Sequence, residues 1–432
     1  MKKNIKALID EHPMSALQYT TIFICFFMNI LDGMDVLVIS YCAPAIAKAW
    51  EVSPEALGVV FSAGLAGMTI GALFLAPFAD QIGRRKMILL SAVLMGTSIF
   101  LTAYTETVLA LIVLRFLSGI GIGSMLASTA ALTAEYTPNR SKDFWVSAVI
   151  SGYPVGAVLS GLVAAQVVPN SGWQRMFQLA GLASFVSLPL IYFFLSESLD
   201  FYVKKQPLNA LAKLNEAFKK MGHEALTALP ELPPKSTGIP VKDLLKGEYR
   251  IPTFQLWLAL FLAFSCLYFL TSWIPKLAAN TGLSMSLAIY AGTVFNVGAF
   301  IGIITQGYFS SKFGLKKTIG SFLIATAVLM AIFKLFIGAD VLLLIFGLLG
   351  FGIQGGFVGL YAVAARMYPT EFRTTGVGWA IGIGRLGGVI GPALGGVLIG
   401  MGFTMATNFM VFAIPTLLAG MVTLYLSSKE IA

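Results

Sequence analysis

From end to end the chain repeats runs of about 20 apolar residues, each the length that a helix needs to cross a hydrocarbon core of about 30 Å. No water is available in that medium to satisfy backbone amides, and the runs are continuous rather than alternating, so each must close its hydrogen bonds internally as a helix. They fall at residues 19–45, 54–79, 87–105, 108–135, 143–168 and 174–195, and again at 253–275, 284–310, 317–336, 340–366, 375–400 and 404–427. Two sets of six flank one polar segment. The expected fold is an all-α membrane protein of twelve transmembrane helices, with an N-terminal six-helix half (1–195), a central loop (196–252) and a C-terminal six-helix half (253–432). With 57% hydrophobic and 11% charged residues, the composition excludes an ordinary soluble domain.

Within the central loop, "PLNALAKLNEAFKKMG" predicts an amphipathic helix that starts at Pro207 and stops at Gly222. Its apolar face is Leu208, Leu211, Leu214, Phe218 and Met221. Lys213, Lys219 and Lys220 lie opposite, which suits an anionic membrane surface; a simple tether is the alternative. "LPELPPKSTGIP" then reads as an extended linker.

Most of the 29 Lys and Arg sit in the tails and in loops of one side, notably Arg84, Arg85 and Lys86, Arg140 and Lys142, and Lys312, Lys316 and Lys317. The positive-inside rule places that side, and both termini, in the cytoplasm of a cell that carries the chain in its inner membrane. The same distribution accounts for the net charge of +9, so no nucleic-acid partner is expected. No cleavable signal peptide is read, because the first apolar run is span-length and lacks a small-residue cleavage site. Cys25, Cys42 and Cys266 have no paired spacing and read as packing residues. His12 and His223 stand isolated, and Trp50 and Trp173 read as interfacial anchors. With no nucleophile–base pair, nucleotide loop or metal-ligand cluster in the pattern, the expectation is a non-enzyme without cofactor or metal.

The two sets of six echo one another. "ADQIGRRK" (79–86) and "SSKFGLKK" (310–317) both carry a Gly-basic turn, with Gly83 matching Gly314, and "AEYTPNR" (134–140) faces "ARMYPTEFR" (365–373). Such a parallel repeat points to a transporter whose site lies at the midplane between its halves.

Charges inside the spans narrow the site. "NILDGMDVLV" (29–38) puts Asp32 and Asp35 in the first span, where each costs roughly 2.5–3.5 kcal/mol to insert and so needs a partner, water or a proton. Three residues apart, they lie about 60° from one another around the helix. Low polarity and mutual repulsion favour holding a proton on one of them, which makes the pair a candidate proton carrier. The alternative is two residues simply hydrogen-bonded to neighbouring helices, and Gly33 permits a close helix approach under either reading. Arg385, about 15 Å into the eleventh span, lies near the midplane and can grip a carboxylate with two parallel hydrogen bonds. Glycines 382, 384, 387 and 388 thin the helix around it and open space for a ligand; a structural partner for Asp or for backbone carbonyls is the competing role. Arg115, in the fourth span, is the candidate salt-bridge partner of the first-span aspartates and joins them in proton coupling. Tyr268, Asn296, Gln354 and Tyr361 are candidate substrate contacts with Arg385 and Asp32, and Asn29, Tyr153, Trp273, Phe357 and Trp379 are further cavity candidates. Glu135, Asp80, Arg84 and Arg85, at the cytoplasmic helix ends, are candidate gating residues.

These segments carry a family resemblance. "PFADQIGRRK" resembles the loop signature of the major facilitator superfamily, with Asp80 and the Gly83–Lys86 run at its core. "RFLSGIGIGS" from Arg115 resembles its fourth-helix motif, "SGYPVGAVLSG" its glycine-rich fifth helix, and "YPTEFRTTGVG" (368–378) a segment after its tenth helix. Within the superfamily, "LDGMD" resembles the Asp-Gly-x-Asp signature of the aromatic acid:proton symporter family. The resemblance implies the major facilitator arrangement and proton-coupled uptake, by alternating access, of a small organic acid: an aromatic carboxylate such as benzoate, hydroxybenzoate or protocatechuate, or a ring-cleavage product such as muconate. Its partners would be that acid, protons and the lipid bilayer, with the monomer as the working unit. Ala76, Gln81 and Ser311 depart from the pattern, and Ser311 leaves the second loop copy without an acidic lock. Two alternatives stay open: proton-driven efflux of a drug-like compound, for which a cationic cargo would meet an obstacle in Arg385, and a transporter-like receptor that binds without translocating.

Overall fold

The computed structural model describes residues 8–10, 12–230, 241–338, 341–368 and 370–427. Residues 231–240 of the linker (229–240), the basic tails Lys2, Lys3, Lys6 and Lys429, and part of the segment after the tenth span lie outside the described residues.

Each apolar run becomes a helix with a start signal of its own. Ser15 caps α1 (Ala16–Trp50) in a reciprocal capping box with Gln18. Ser53 with Pro54 behind it opens α2 (Pro54–Ile70), which continues through a π-helical turn at Gly71–Leu75 and a 3₁₀ turn at Ala76–Phe78 to Ile82. Gly83, at φ +102°, then makes a turn that only glycine adopts without strain, and α3 (Arg84–Thr102) begins. α4 (Val108–Tyr136) starts from the Thr107 cap. α5 (Gly152–Phe194) is broken at Gly172, where φ 82° and ψ 163° turn the chain, so that it forms two arms. After α6 (Ala210–Met221) come α7 (Arg250–Asn280), α8 (Met285–Phe313), α9 (Leu315–Ala331), α10 (Leu342–Met367), α11 (Thr370–Gly400) and α12 (Met405–Leu424).

Among the described residues, ten helical runs are long and apolar enough to cross a membrane, the two arms of α5 counting there as one run and the 17-residue α9 falling outside. Adding the second arm and α9 to the ten gives twelve crossings of a multi-pass membrane protein.

Helix pairing repeats between the two sets. α1 packs on the first arm of α5, as α7 packs on α11; α2 packs on α4, as α8 packs on α10. Little apolar gain drives helices together in lipid, so these crossings rely on small residues that let backbones touch. A Cβ on Gly33 would collide with the Tyr153 backbone, one on Gly156 with Ile30, one on Gly387 with Phe261 and one on Gly298 with Gly347.

The sets meet at the end away from the termini. Ser40 Oγ donates to the carbonyls of Thr271 (2.8 Å) and Ser272 (2.9 Å), Ser62 Oγ to Val389 (2.6 Å) and Ser286 Oγ to Ala165 (3.0 Å). Among the described residues, the hydrogen bonds between the two sets all lie beyond the middle of the helices toward that end, and no ion pair joins the sets. The space between them therefore opens toward the termini.

Some expectations change. α6 begins at Ala210 behind Asn209 rather than at Pro207, and Leu208 is 94% exposed instead of joining Leu214, Phe218 and Met221 in the buried face. Trp173 is not an interfacial anchor: it is buried edge-on between Trp50 (5.2 Å) and Phe177 (5.9 Å), because the end of α1 packs against α5 at its Gly172 break. Nor are the histidines isolated. The loop after α6 folds back on the N-terminal segment, bringing the His12 and His223 rings edge-on at 4.7 Å. The three cysteines are free and buried.

Candidate functional site

Asp32 and Asp35 leave α1 in different directions, as their angular separation requires. Asp35 Oδ1 accepts a hydrogen bond from Arg115 Nη1 at 2.8 Å, and both side chains are almost fully buried. Arg115 Nη2 donates to Thr102 Oγ1 at 3.2 Å, and its guanidinium lies 5.2 Å from the centre of the Phe177 ring. Spans three, four and six thus hold one cation against α1. Beside the pair is a cavity of about 30 Å³, room for about one water, whose walls include Asp35, Arg115, Ser118, Tyr268 and Ser272.

Asp32, 2% exposed, lies about 60° around the helix from Asp35 and is within electrostatic reach of Asp35 itself, of Arg385 of α11 and of the phenols of Tyr153 and Tyr268. Its Oδ1 has no hydrogen-bond partner among the described residues. Arg385 is in turn within electrostatic reach of Tyr268 and Tyr361. Behind these phenols stands an aromatic wall: Phe264 stacks near Tyr268 (5.9 Å) and meets Phe357 edge-on (4.6 Å), which meets Tyr361 (5.2 Å). Arg385, Tyr153, Tyr268 and Tyr361 are only partly buried although they sit mid-span, so they border the open space between the sets. A guanidinium, three phenols and one carboxylate around such a space can hold a planar acid by its carboxylate and its ring. Tyr268 belongs both to this cluster and to the wall of the Asp35–Arg115 cavity.

Other predicted residues take different places. Asn296 is 2% exposed and donates to the Gly292 carbonyl (2.8 Å) and to Tyr41 Oη (3.4 Å), within the contact that closes the far end. Trp273 is buried there too, donating to the Pro392 carbonyl and packing on Phe61. Gln354 is partly buried and makes no hydrogen bond to another described residue. The glycines around Arg385 do not all open space for a ligand: Gly384 faces the Phe264 ring, Gly387 the Phe261 backbone and Gly388 the Tyr268 ring, because α7 packs into that face; Gly382 alone of the four faces open space.

At the termini end, Arg84 ion-pairs with Glu135 and reaches Asp80 at 3.6 Å; Asp80 is 71% exposed. Glu135 Oε2 also accepts from Ser198 Oγ (2.7 Å) and the Asp200 amide (3.3 Å). Sequence reasoning missed Glu197. Its Oε1 accepts the Arg85 amide (3.0 Å) and the Ser198 amide (2.8 Å), so a carboxylate sits at the positive end of α3. Arg85 donates from its guanidinium to the Tyr192 carbonyl. Thr102 and Phe177, around Arg115, were also missed. Nothing in the polarity of "LSES" (195–198) after a span or in a lone Thr or Phe distinguishes such residues before the helices are placed.

The chain matches the family model described as Major Facilitator Superfamily over residues 25–306 and again over 256–431. It is 32% identical to a 4-hydroxybenzoate transporter of Pseudomonas aeruginosa, covering 96% of this chain and 94% of that one. It is 31% identical to a gallate transporter of Pseudomonas putida, covering 98% and 94%. Its structure resembles that of a D-xylose–proton symporter with a TM-score of 0.75 at 17% identity, over 96% of this chain and 98% of the other. Paired helices in two similar sets, buried charges in mid-span and these full-length matches lead to one assignment: the chain belongs to the Major Facilitator Superfamily.

Proposed function

We propose that the protein takes up a small aromatic carboxylate together with a proton, by alternating access across the inner membrane with both termini in the cytoplasm. Relatives named as 4-hydroxybenzoate, gallate and benzoate transporters support the substrate class. The observation that carries the reading is the placing of Arg385 within electrostatic reach of Asp32, with the phenols of Tyr153, Tyr268 and Tyr361 around them, beside the space between the sets. In this reading residues 1–195 and 253–432 are the moving halves and 196–252 links them. One chain holds the whole site and works as a monomer, and the cargo leaves chemically unchanged, so no enzymatic step is involved.

Charge balance supplies the coupling. In the empty site the Arg385 cation and the Asp32 carboxylate offset one another. An arriving carboxylate takes Arg385 for itself through two directed hydrogen bonds and leaves Asp32 as an uncompensated buried charge. A proton on Asp32 restores neutrality. Only the empty site or the site loaded with both acid and proton is then free of an unpaired charge, and only those two forms can close at both ends without a large desolvation cost. Asp35 and Arg115 hold α1 to α4 in the proton-coupling part, with Tyr268 as the link to the substrate cluster. Arg84, Glu135, Arg85 and Asp80 hold the helix ends on the termini side and act as the gate. The basic distribution along the sequence supports the cytoplasmic orientation.

The test compares binding of 4-hydroxybenzoate and its uncharged amide to wild type, Arg385→Lys and Arg385→Ala. Wild type should prefer the acid, the Lys variant should weaken that preference because it loses the planar fork, and the Ala variant should abolish it. If wild type binds the amide as tightly as the acid, Arg385 is not the carboxylate anchor and efflux of an uncharged compound becomes the better reading.

A further inference from the structure

A second cavity, of about 370 Å³, lies far from the central cluster, at the termini end of the first set of helices. Thr20 from α1, Arg85 from the start of α3, Phe193 and Phe194 from the end of α5, and Lys213 from α6 all contribute to its wall. The end of α5 turns Tyr192, Phe193 and Phe194 outward, 58%, 72% and 57% exposed. Exposed rings at the end of a spanning helix mark the boundary between acyl chains and headgroups. α6 lies against this region, with Leu214 and Phe218 buried and Lys213, Lys219 and Lys220 exposed. The cavity therefore sits at headgroup level, with apolar rings on one side and cations on the other.

The charges inside it do not cancel. Lys220 is paired with Glu216 at 2.8 Å, whereas Lys213 makes no ion pair among the described residues. The Glu197 carboxylate is engaged by the amides of Arg85 and Ser198. Two cations, Arg85 and Lys213, thus stand against one carboxylate, leaving one positive charge. Burial and the neighbouring Glu197 push the phenol of Tyr202, another residue of the cavity wall, up, so its hydroxyl stays a donor at neutral pH.

We propose that this cavity holds the headgroup of an anionic glycerophospholipid from the leaflet on the termini side. Arg85 and Lys213 take its phosphodiester, Thr20 and Tyr202 hydrogen-bond to it, and its acyl chains lie along Phe193 and Phe194. A singly charged phosphodiester lipid such as phosphatidylglycerol balances the residual charge; a phosphatidylcholine headgroup brings a bulky cation into a site that already has one too many. The site does not depend on which solute the protein carries, only on its crossing the membrane.

The experiment is native mass spectrometry of the full-length protein through stepwise delipidation, with phosphatidylglycerol or phosphatidylcholine as the added lipid. Wild type should keep one phosphatidylglycerol after the rest are stripped. Lys213→Glu should weaken that retention about tenfold, and Lys213→Gln should weaken it less. Lys219→Glu makes the same charge change on the same helix outside the cavity and should leave retention as in wild type. A thermal unfolding midpoint within about 1–2 °C of wild type is the required check that each variant is folded. Equal losses in Lys213→Glu and Lys219→Glu would overturn the proposal in favour of diffuse surface attraction. So would equal retention of phosphatidylcholine. Displacement of the lipid by millimolar glycerol 3-phosphate would show that the occupant is a soluble phosphate compound, which also overturns it.

Discussion

The Asp35–Arg115 pair offers the sharpest test of how the first set of helices is held. At 2.8 Å and an effective dielectric constant of about 20, the two charges attract by about 6 kcal/mol. Most of that is offset by the hydration both ions lose at 1% and 3% exposure. Removing one partner forfeits the attraction yet keeps the other's dehydration, so Asp35→Asn or Arg115→Gln should each cost on the order of 3–5 kcal/mol. For 432 residues the unfolding entropy scales to about 0.9 kcal/mol/K, which makes each loss a drop of roughly 3–5 °C in midpoint. The double variant removes both charges together and leaves a neutral pair that can still hydrogen-bond. It should be less destabilised than the sum of the singles by at least about 2 kcal/mol. Thermal unfolding of the purified protein in one detergent, for wild type, both singles and the double, measures this directly. Additive losses across the four proteins would refute the reasoning, since they would mean that the two residues do not depend on one another.

Asp32→Asn fixes the carboxylate in a neutral form, so proteoliposomes carrying it should lose accumulation of aromatic acid driven by a pH gradient while keeping exchange of internal for external acid; intact gradient-driven accumulation would remove Asp32 from the coupling. Gly222→Cys, just after α6, should react with a membrane-impermeant thiol reagent only in inverted vesicles, given the distribution of basic residues; labelling in intact cells would reverse the assigned orientation.

Span length and hydrogen-bond closure are local properties, so the helices from Ala16 to Leu424 could be read from the chain without knowing their neighbours, as could the presence of costly charges at Asp32, Asp35, Arg115 and Arg385. Partner choice is not local. Asp32 and Asp35 are three residues apart and chemically identical, yet one, without an ion-pair partner among the described residues, is within electrostatic reach of Arg385 while the other is paired with Arg115. Which is which depends on the packing of α4 on one side of α1 and of α11 across the gap. The glycines flanking Arg385 show the same limit. Their number announces a thin helix face, but only the arrival of α7 decides that the space at Gly384, Gly387 and Gly388 is filled with Phe261, Phe264 and Tyr268. Asn296 carries the composition of a ligand contact and is instead committed to Tyr41, because the two sets are closed at that end. Glu197 reads as an ordinary polar residue after a span until the start of α3 is brought to it. The helices and the charges that must be compensated within them are legible residue by residue, since both follow from the cost of bare polar groups in lipid; which partner compensates which charge emerges only on packing, because it follows from contacts between segments far apart in the chain.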